Sequence, residues 1–117
     1  MDESILLVEE PVTLQRIKEI AGERFGDLVK AVIDIEGGIM AIGGELHADE
    51  ESFLIQNGSE QKNLWGINIY PGVPKEKMIE FDSMINVRPS QNNRSRSVED
   101  AEIQNKIVEI VNKLIQA

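Results

Sequence analysis

Residues 78–100 read MIEFDSMINVRPSQNNRSRSVED, and the way they divide decides the fold. Ile79, Phe81, Ser83, Ile85 and Val87 alternate with Glu80, Asp82, Met84, Asn86 and Arg88. That period of two predicts a strand over residues 78–88, with one apolar row fit to receive helices. A loop rich in arginine and amides follows, and then a helix start, with Ser97 and Asp100 spaced as in a capping box. Three of the five arginines, Arg88, Arg94 and Arg96, fall inside this stretch of a chain whose net charge is −9.

Upstream, Leu64, Gly66, Asn68 and Tyr70 share one face of an expected strand, and Trp65, Ile67 and Ile69 share the other. Residues 30–35 and 39–47 are rich in Val and Ile and are separated by Glu36-Gly37-Gly38, which predicts a hairpin. Gly43-Gly44 inside its second strand is expected to mark a bulge or a close approach by another backbone or a ligand. Residues 5–8 are a short apolar run before Glu9, Glu10 and Pro11 and read as a first strand or an ordered arm. Thr13 is the expected N-cap of a helix carrying Leu14, Ile17, Ala21 and Phe25, ended by Gly26. Asp49, Glu50 and Glu51 suit the start of a second, short helix ended by Asn57-Gly58, although Phe53, Leu54 and Ile55 would serve equally in a strand. Ile103, Ile107, Ile110, Val111 and Leu114 form the apolar stripe of a long terminal helix. The sum is an α+β domain spanning residues 1–117. It has an antiparallel-rich sheet of four to five strands, with two to three helices packed on one face.

Composition narrows the function. At 41% hydrophobic and 28% charged, the chain reads as an ordinary globular protein. It has no cysteine, which excludes disulfides, thiolate nucleophiles and cysteine-bound zinc. No apolar run reaches the ~18 residues of a membrane helix. The opening MDESILLVEE lacks the basic start of a signal peptide, so a cytoplasmic address is expected. The acidic balance argues against unspecific nucleic-acid binding, yet a local basic patch acts within a screening length of roughly 8 Å.

If the expected strands lie in one sheet, Glu45, His47, Asn68, Tyr70, Asp82, Asn86 and Arg88 would line a concave polar face. An ordinary solvated sheet face would also be polar. These residue types, however, can donate, accept, move a proton and hold an anion. His47 is the sole histidine and therefore the candidate base near neutral pH. Glu45, His47, Asp49 and Glu51 alternate like ligands, but one histidine with carboxylates is a sparse metal signal, and neither metal nor other cofactor is expected. Trp65 is expected in the core, its ring N–H in need of an acceptor.

The strings GGIMAIGGELHADEE (37–51), NLWGINIYP (63–71) and IEFDSMINVRPSQNNRSRSVED (79–100) resemble a family of short prokaryotic proteins known only as a domain of unknown function. The resemblance runs from about Phe25 onward and implies a small compact domain, with no catalytic residue assigned.

Two readings follow. In the first, the chain is a binding module in which residues 82–96 form a corner for an anionic small molecule or a protein partner, with Asn68, Tyr70, Asn86, Arg88, Arg94 and Arg96 as contacts. In the second it is a metal-independent phosphodiesterase or ribonuclease. His47 with Glu45 or Asp82 would then move protons, and Arg88, Arg94 and Arg96 would stabilise phosphorane charge. A third possibility needs no ligand: the arginines bind carboxylates such as Glu80, Glu99 or Asp100, and Asn and Gln tie down the loop through backbone bonds. A latch buries its guanidinium groups against carboxylates, whereas a site leaves them open.

Overall fold

A computed structural model describes residues 5–117. Five strands form one antiparallel sheet in the order β1-β4-β3-β5-β6: β1 Leu6–Val8, β3 Val29–Asp34, β4 Ile39–Ile42, β5 Leu64–Ile69 and β6 Ile79–Glu80. A second, parallel pair joins β2 (Val12–Thr13) to β7 (Ile115–Gln116), tying the start of α1 to the end of α3. The helices are α1 Leu14–Glu23, α2 His47–Gln56 and α3 Ala101–Leu114.

Thr13 caps α1 by accepting the Arg16 N–H at 3.1 Å. Gly26, at φ +92°, ends the turn with its N–H on the Ala21 carbonyl. The buried face of α1 is Ile17, Ile20 and Ala21. Phe25 lies beyond the helix and is exposed, with Lys30 Nζ 5.2 Å from its ring centre. Asp100, rather than Ser97, caps α3: its Oδ1 accepts the Glu102 N–H at 2.8 Å. Ile107, Val111 and Leu114 are buried, while Ile103 and Ile110 pack against the core from its margin.

In β3, Val29, Ala31 and Ile33 stand opposite Ile69, Ile67 and Trp65 of β5, and this apolar face receives α1 and α3. Two helices therefore cover one face. The third, α2, covers the other, where Leu54 and Phe53 meet Val32, Ala41 and Leu64. The sequence left residues 53–55 open between helix and strand. The helix forms because Asp49 and Glu50 occupy its first turn and because Val32, Ala41 and Leu64 offer an apolar patch for Leu54. No helix of the described residues is long and apolar enough to cross a membrane.

The hairpin forms as expected, but its second strand stops at Ile42 instead of running to His47. Gly43, at φ +89°, turns the chain away. Gly44 then lies against Glu50, whose buried carboxylate accepts the Gly44 N–H at 2.9 Å. A Cβ on Gly44 would come within 2.9 Å of Glu50 Cγ, so the glycine pair serves a close approach by a side chain of α2. Asp34 closes the hairpin turn by accepting the N–H groups of Glu36 and Gly37 on one oxygen and the Ser59 hydroxyl on the other.

Truncating Ile107 or Leu114 to Ala removes buried contacts between α3 and the sheet. Each variant is expected to lose about 2–5 kcal/mol of stability in denaturant or thermal unfolding. A melt that matches the parent would show that α3 is peripheral.

Candidate functional site

The expected strand over residues 78–88 is reduced to Ile79–Glu80, paired with Ile69 and Asn68. Beyond it the chain leaves the sheet and runs through short helical turns at Met84–Asn86 and Pro89–Gln91. Ile79 and Phe81 still pack on the α1/α3 core, but Ile85 joins the cluster beneath α2. The alternation therefore breaks after Asp82. The cause is visible along the outer edge of β5. Where a strand would have bonded Gly66, the Asn86 side chain does so instead. Its Oδ1 accepts the Gly66 N–H at 2.8 Å, and its Nδ2 donates to the Gly66 carbonyl at 2.9 Å and to the Arg96 carbonyl at 3.0 Å. Gly66 must lack a side chain here, because a Cβ would sit 2.6 Å from Ser83 Cβ.

Arg88 continues the same edge. Its guanidinium donates to the carbonyls of Gln61 and Leu64 and lies over the Trp65 ring, 4.2 Å from the ring centre. Burial lowers its pKa, with the Glu51 carboxylate acting in the opposite direction. Arg88 thus ties the loop to backbone carbonyls rather than to the carboxylates expected of a latch.

Asn93, also buried, holds the rest of the loop. Its backbone bridges Arg88, with the Arg88 N–H on the Asn93 carbonyl at 2.7 Å. Its Nδ2 donates to the carbonyls of Asn86 and Ser97 at 2.7 Å each, with Ser95 at 3.2 Å, and its Oδ1 accepts the Glu99 N–H. Asn92 before it takes the left-handed conformation, φ 61°, which asparagine tolerates. Glu99 in turn accepts the N–H groups of Arg94 and Ser95 at 3.0 and 2.8 Å. Hydrogen bonds from Ser95 and from the Arg94 backbone hold its carboxyl below the usual range. Arg94 is exposed at the tip of this braced bend. Arg96, half exposed, places its Nε 2.6 Å from Asp82 Oδ1.

A third group occupies the end of the sheet face beyond α2. Lys30 and Glu80 flank Asn68 in register on β3 and β6. Asn68 Nδ2 donates to Glu80 Oε1 at 2.9 Å, and Tyr70 donates its hydroxyl to the same oxygen at 3.2 Å. Burial, then Glu80, raises the Tyr70 pKa and keeps the phenol a neutral donor. Asn68 Oδ1 is buried without a donor among the described residues.

His47 opens α2 and is mostly buried, with Nε2 2.8 Å from the Ile67 carbonyl, which fixes the proton on that nitrogen. Burial lowers its pKa, the Ile67 bond opposes this, and Lys30 and Arg96 add to the lowering while Asp82 counters it. The ring is therefore a neutral tie between α2 and β5.

The expected polar face is thus divided. Asn68, Tyr70, Asp82 and His47 gather at one end with Arg96. Asn86 and Arg88 are turned into the structure, and Glu45 pairs with Arg24 at 3.9 Å instead of approaching His47. The alternating string Glu45, His47, Asp49, Glu51 loses its common side, since three of its members lie on a helix. No group of three or more His, Asp or Glu that could hold a metal gathers among the described residues. Asp34, Glu50 and Asn93 escaped the sequence reading. Asp34, two residues ahead of Glu36-Gly37-Gly38, carried an Asx-turn signal, and the Gly43-Gly44 pair pointed to a close backbone or ligand where the structure has the Glu50 side chain. For Asn93 there was only amide richness.

The chain belongs to a family of proteins of unknown function, DUF5674, whose family model matches residues 6–114. No curated protein and no solved structure matches the chain.

His47 and Glu99 make stability depend on pH with one sign. Each has a lowered pKa when folded, so the unfolded chain binds more protons and stability falls with acidification. Stability should be level above the ordinary histidine value of 6.5, fall as pH drops through the lowered His47 pKa, and fall again below the ordinary glutamate value of 4.5. Urea midpoints across this range check it. In His47→Gln the first descent should vanish while the second remains.

Proposed function

We propose that this chain is a small binding module that offers the braced bend carrying Arg94 and Arg96, beside Asn68, Tyr70 and Asp82, to an anionic or strongly polar partner. The observation that carries this reading is the hydrogen-bonded bracing of the bend. Two buried asparagines and Glu99 fix a segment with almost no regular structure, and that bracing leaves Arg94 and half of Arg96 facing solvent. A loop held by its scaffold binds without the entropy of ordering itself. Planar guanidinium groups suit carboxylate or phosphate. The surrounding negative charge would disfavour unselective contact with other anions. Lack of cysteine and an acidic surface fit a cytoplasmic address.

Asn86 and Arg88 belong to this reading as supports, because they hold the bend from beneath. The phosphodiesterase reading has less behind it. His47 uses Nε2 to hold Ile67, burial disfavours its cation, and Glu45 is engaged with Arg24.

The test is a thermal-shift screen of the full chain against sulfate, phosphate, nucleotides, short RNA and an acidic peptide. At least one anion should raise the parent melting temperature. Arg94→Gln and Arg96→Gln should melt near the parent alone and bind about tenfold or more weakly, as loss of one charge-assisted contact implies. Arg88→Gln should melt early without any ligand. No stabilisation by any anion, with unaltered behaviour of the Arg94 and Arg96 variants, would refute the reading.

A further inference from the structure

Residues 83–96 run out and back as two arms. At one end the Ser83 N–H meets the Arg96 carbonyl at 3.0 Å, and at the other Arg88 and Asn93 bridge. Met84 and Val87 stand on the first arm, one turn apart, with the Val87 N–H on the Met84 carbonyl. In so tight a turn, side chains three positions apart lie on the same side. The residues between them turn inward: Ile85 packs beneath α2 and Asn86 is buried. Met84 is 65% exposed, more than any other large hydrophobic side chain among the described residues, and Val87 is 36% exposed. The second arm carries Arg94 and Arg96. Arg96 gives its Nε to Asp82, which leaves the two terminal guanidinium nitrogens for another acceptor. The carboxylates beside the arginines are engaged, Asp82 by Arg96 and Glu99 by the Ser95 hydroxyl and the Arg94 and Ser95 N–H groups. Single exposed apolar side chains are common on protein surfaces. Here two stand together on a hydrogen-bonded bend, beside two cations.

We infer that the partner taken by this corner is a segment of another protein in which acidic and large apolar side chains are neighbours. Its acids would meet Arg94 and Arg96, and its apolar groups would cover Met84 and Val87. The inference rests on the anion reading above and names the class of partner. A free inorganic anion would satisfy the arginines but leave Met84 and Val87 in water. A nucleic acid would need stacking surfaces and a positive field, whereas residues 83–96 contain no aromatic side chain and the net charge is −9. A protein segment supplies both chemistries at once. Arginine groups read acidic motifs, and Met and Arg are both enriched in protein interfaces. The flexible thioether of methionine adapts to varied apolar neighbours.

A displayed library of short random peptides would be selected against the full chain, and one enriched peptide synthesised for titration by fluorescence polarisation. Enriched sequences should pair Asp or Glu with Leu, Ile or Phe. The peptide should bind Met84→Gln about tenfold more weakly, as loss of one buried apolar contact implies. Arg96→Gln should weaken it by a similar factor. Both side chains are exposed, so the variants should melt near the parent; if Met84→Gln unfolds early, Val87→Thr takes its place. Inorganic phosphate and oligouridylate are the competing classes. Suppose phosphate raises the parent melting temperature through Arg94 and Arg96. If no peptide is then enriched, or enriched peptides lack acidic or apolar side chains, or ignore the Met84 and Val87 variants, the anion reading stands and this inference falls. Preference for oligouridylate over every peptide also overturns it. So does self-association of the parent that Met84→Gln abolishes, because a second copy would then cover the patch. No binding of peptide, phosphate or oligouridylate overturns both readings.

Discussion

The structure depends on how the outer edge of β5 is closed. A strand edge leaves N–H and C=O groups that need partners, and an open edge invites pairing with other chains. Here only Asn68 and Ile69 receive a strand, the two residues of β6. Gly66 receives the two ends of the Asn86 amide, which imitates a peptide group, and the Leu64 carbonyl receives Arg88. Because the cap is made by side chains, the main chain of residues 82–96 is free to cross the sheet face. That crossing places Ser83 against Gly66 and Ile85 beneath α2.

Several features follow from this closure. Gly66 is required because the Ser83 side chain of the crossing segment occupies the place of a Cβ. Arg88 must be half-buried over Trp65 to reach Leu64, so its donors serve the Gln61 and Leu64 carbonyls. Asn93 then binds carbonyls on both sides of the bend, including that of Asn86, so the two asparagines act as one unit. The result is a braced segment whose outward residues, Arg94 and Arg96, differ in fate from the inward Arg88, although all three lie within nine positions in the sequence.

Much of the architecture was legible. The faces of β5, the hairpin about Glu36-Gly37-Gly38, the Thr13 cap and the α3 stripe all follow from periodicity and turn chemistry, because local pattern and burial agree there. The 81–88 segment was not legible for a physical reason. Ile79, Phe81, Ser83, Ile85 and Val87 carry the pattern of a strand, and the override comes from the two bonds of the Asn86 amide to Gly66, 20 positions away. Alternation likewise carried the second hairpin strand through Gly43-Gly44 to His47, past the positive φ at Gly43 that ends it. The candidate residues could be named by type, since Arg and His are few and Asn, Arg and His are chemically capable. Their division into supports and presented groups depends on burial, which the spacing of residues does not encode.

The central claim is that the Asn86 amide stands in for a strand at Gly66, and amide hydrogen exchange tests it most directly. In the parent chain the Gly66 N–H should exchange as slowly as the N–H groups in the middle of β3. In Asn86→Ala, Gly66 and residues 93–99 should lose protection together while β3 and β4 keep theirs. A Gly66 amide that exchanges rapidly in the parent, or one equally protected without the Asn86 side chain, would contradict the account.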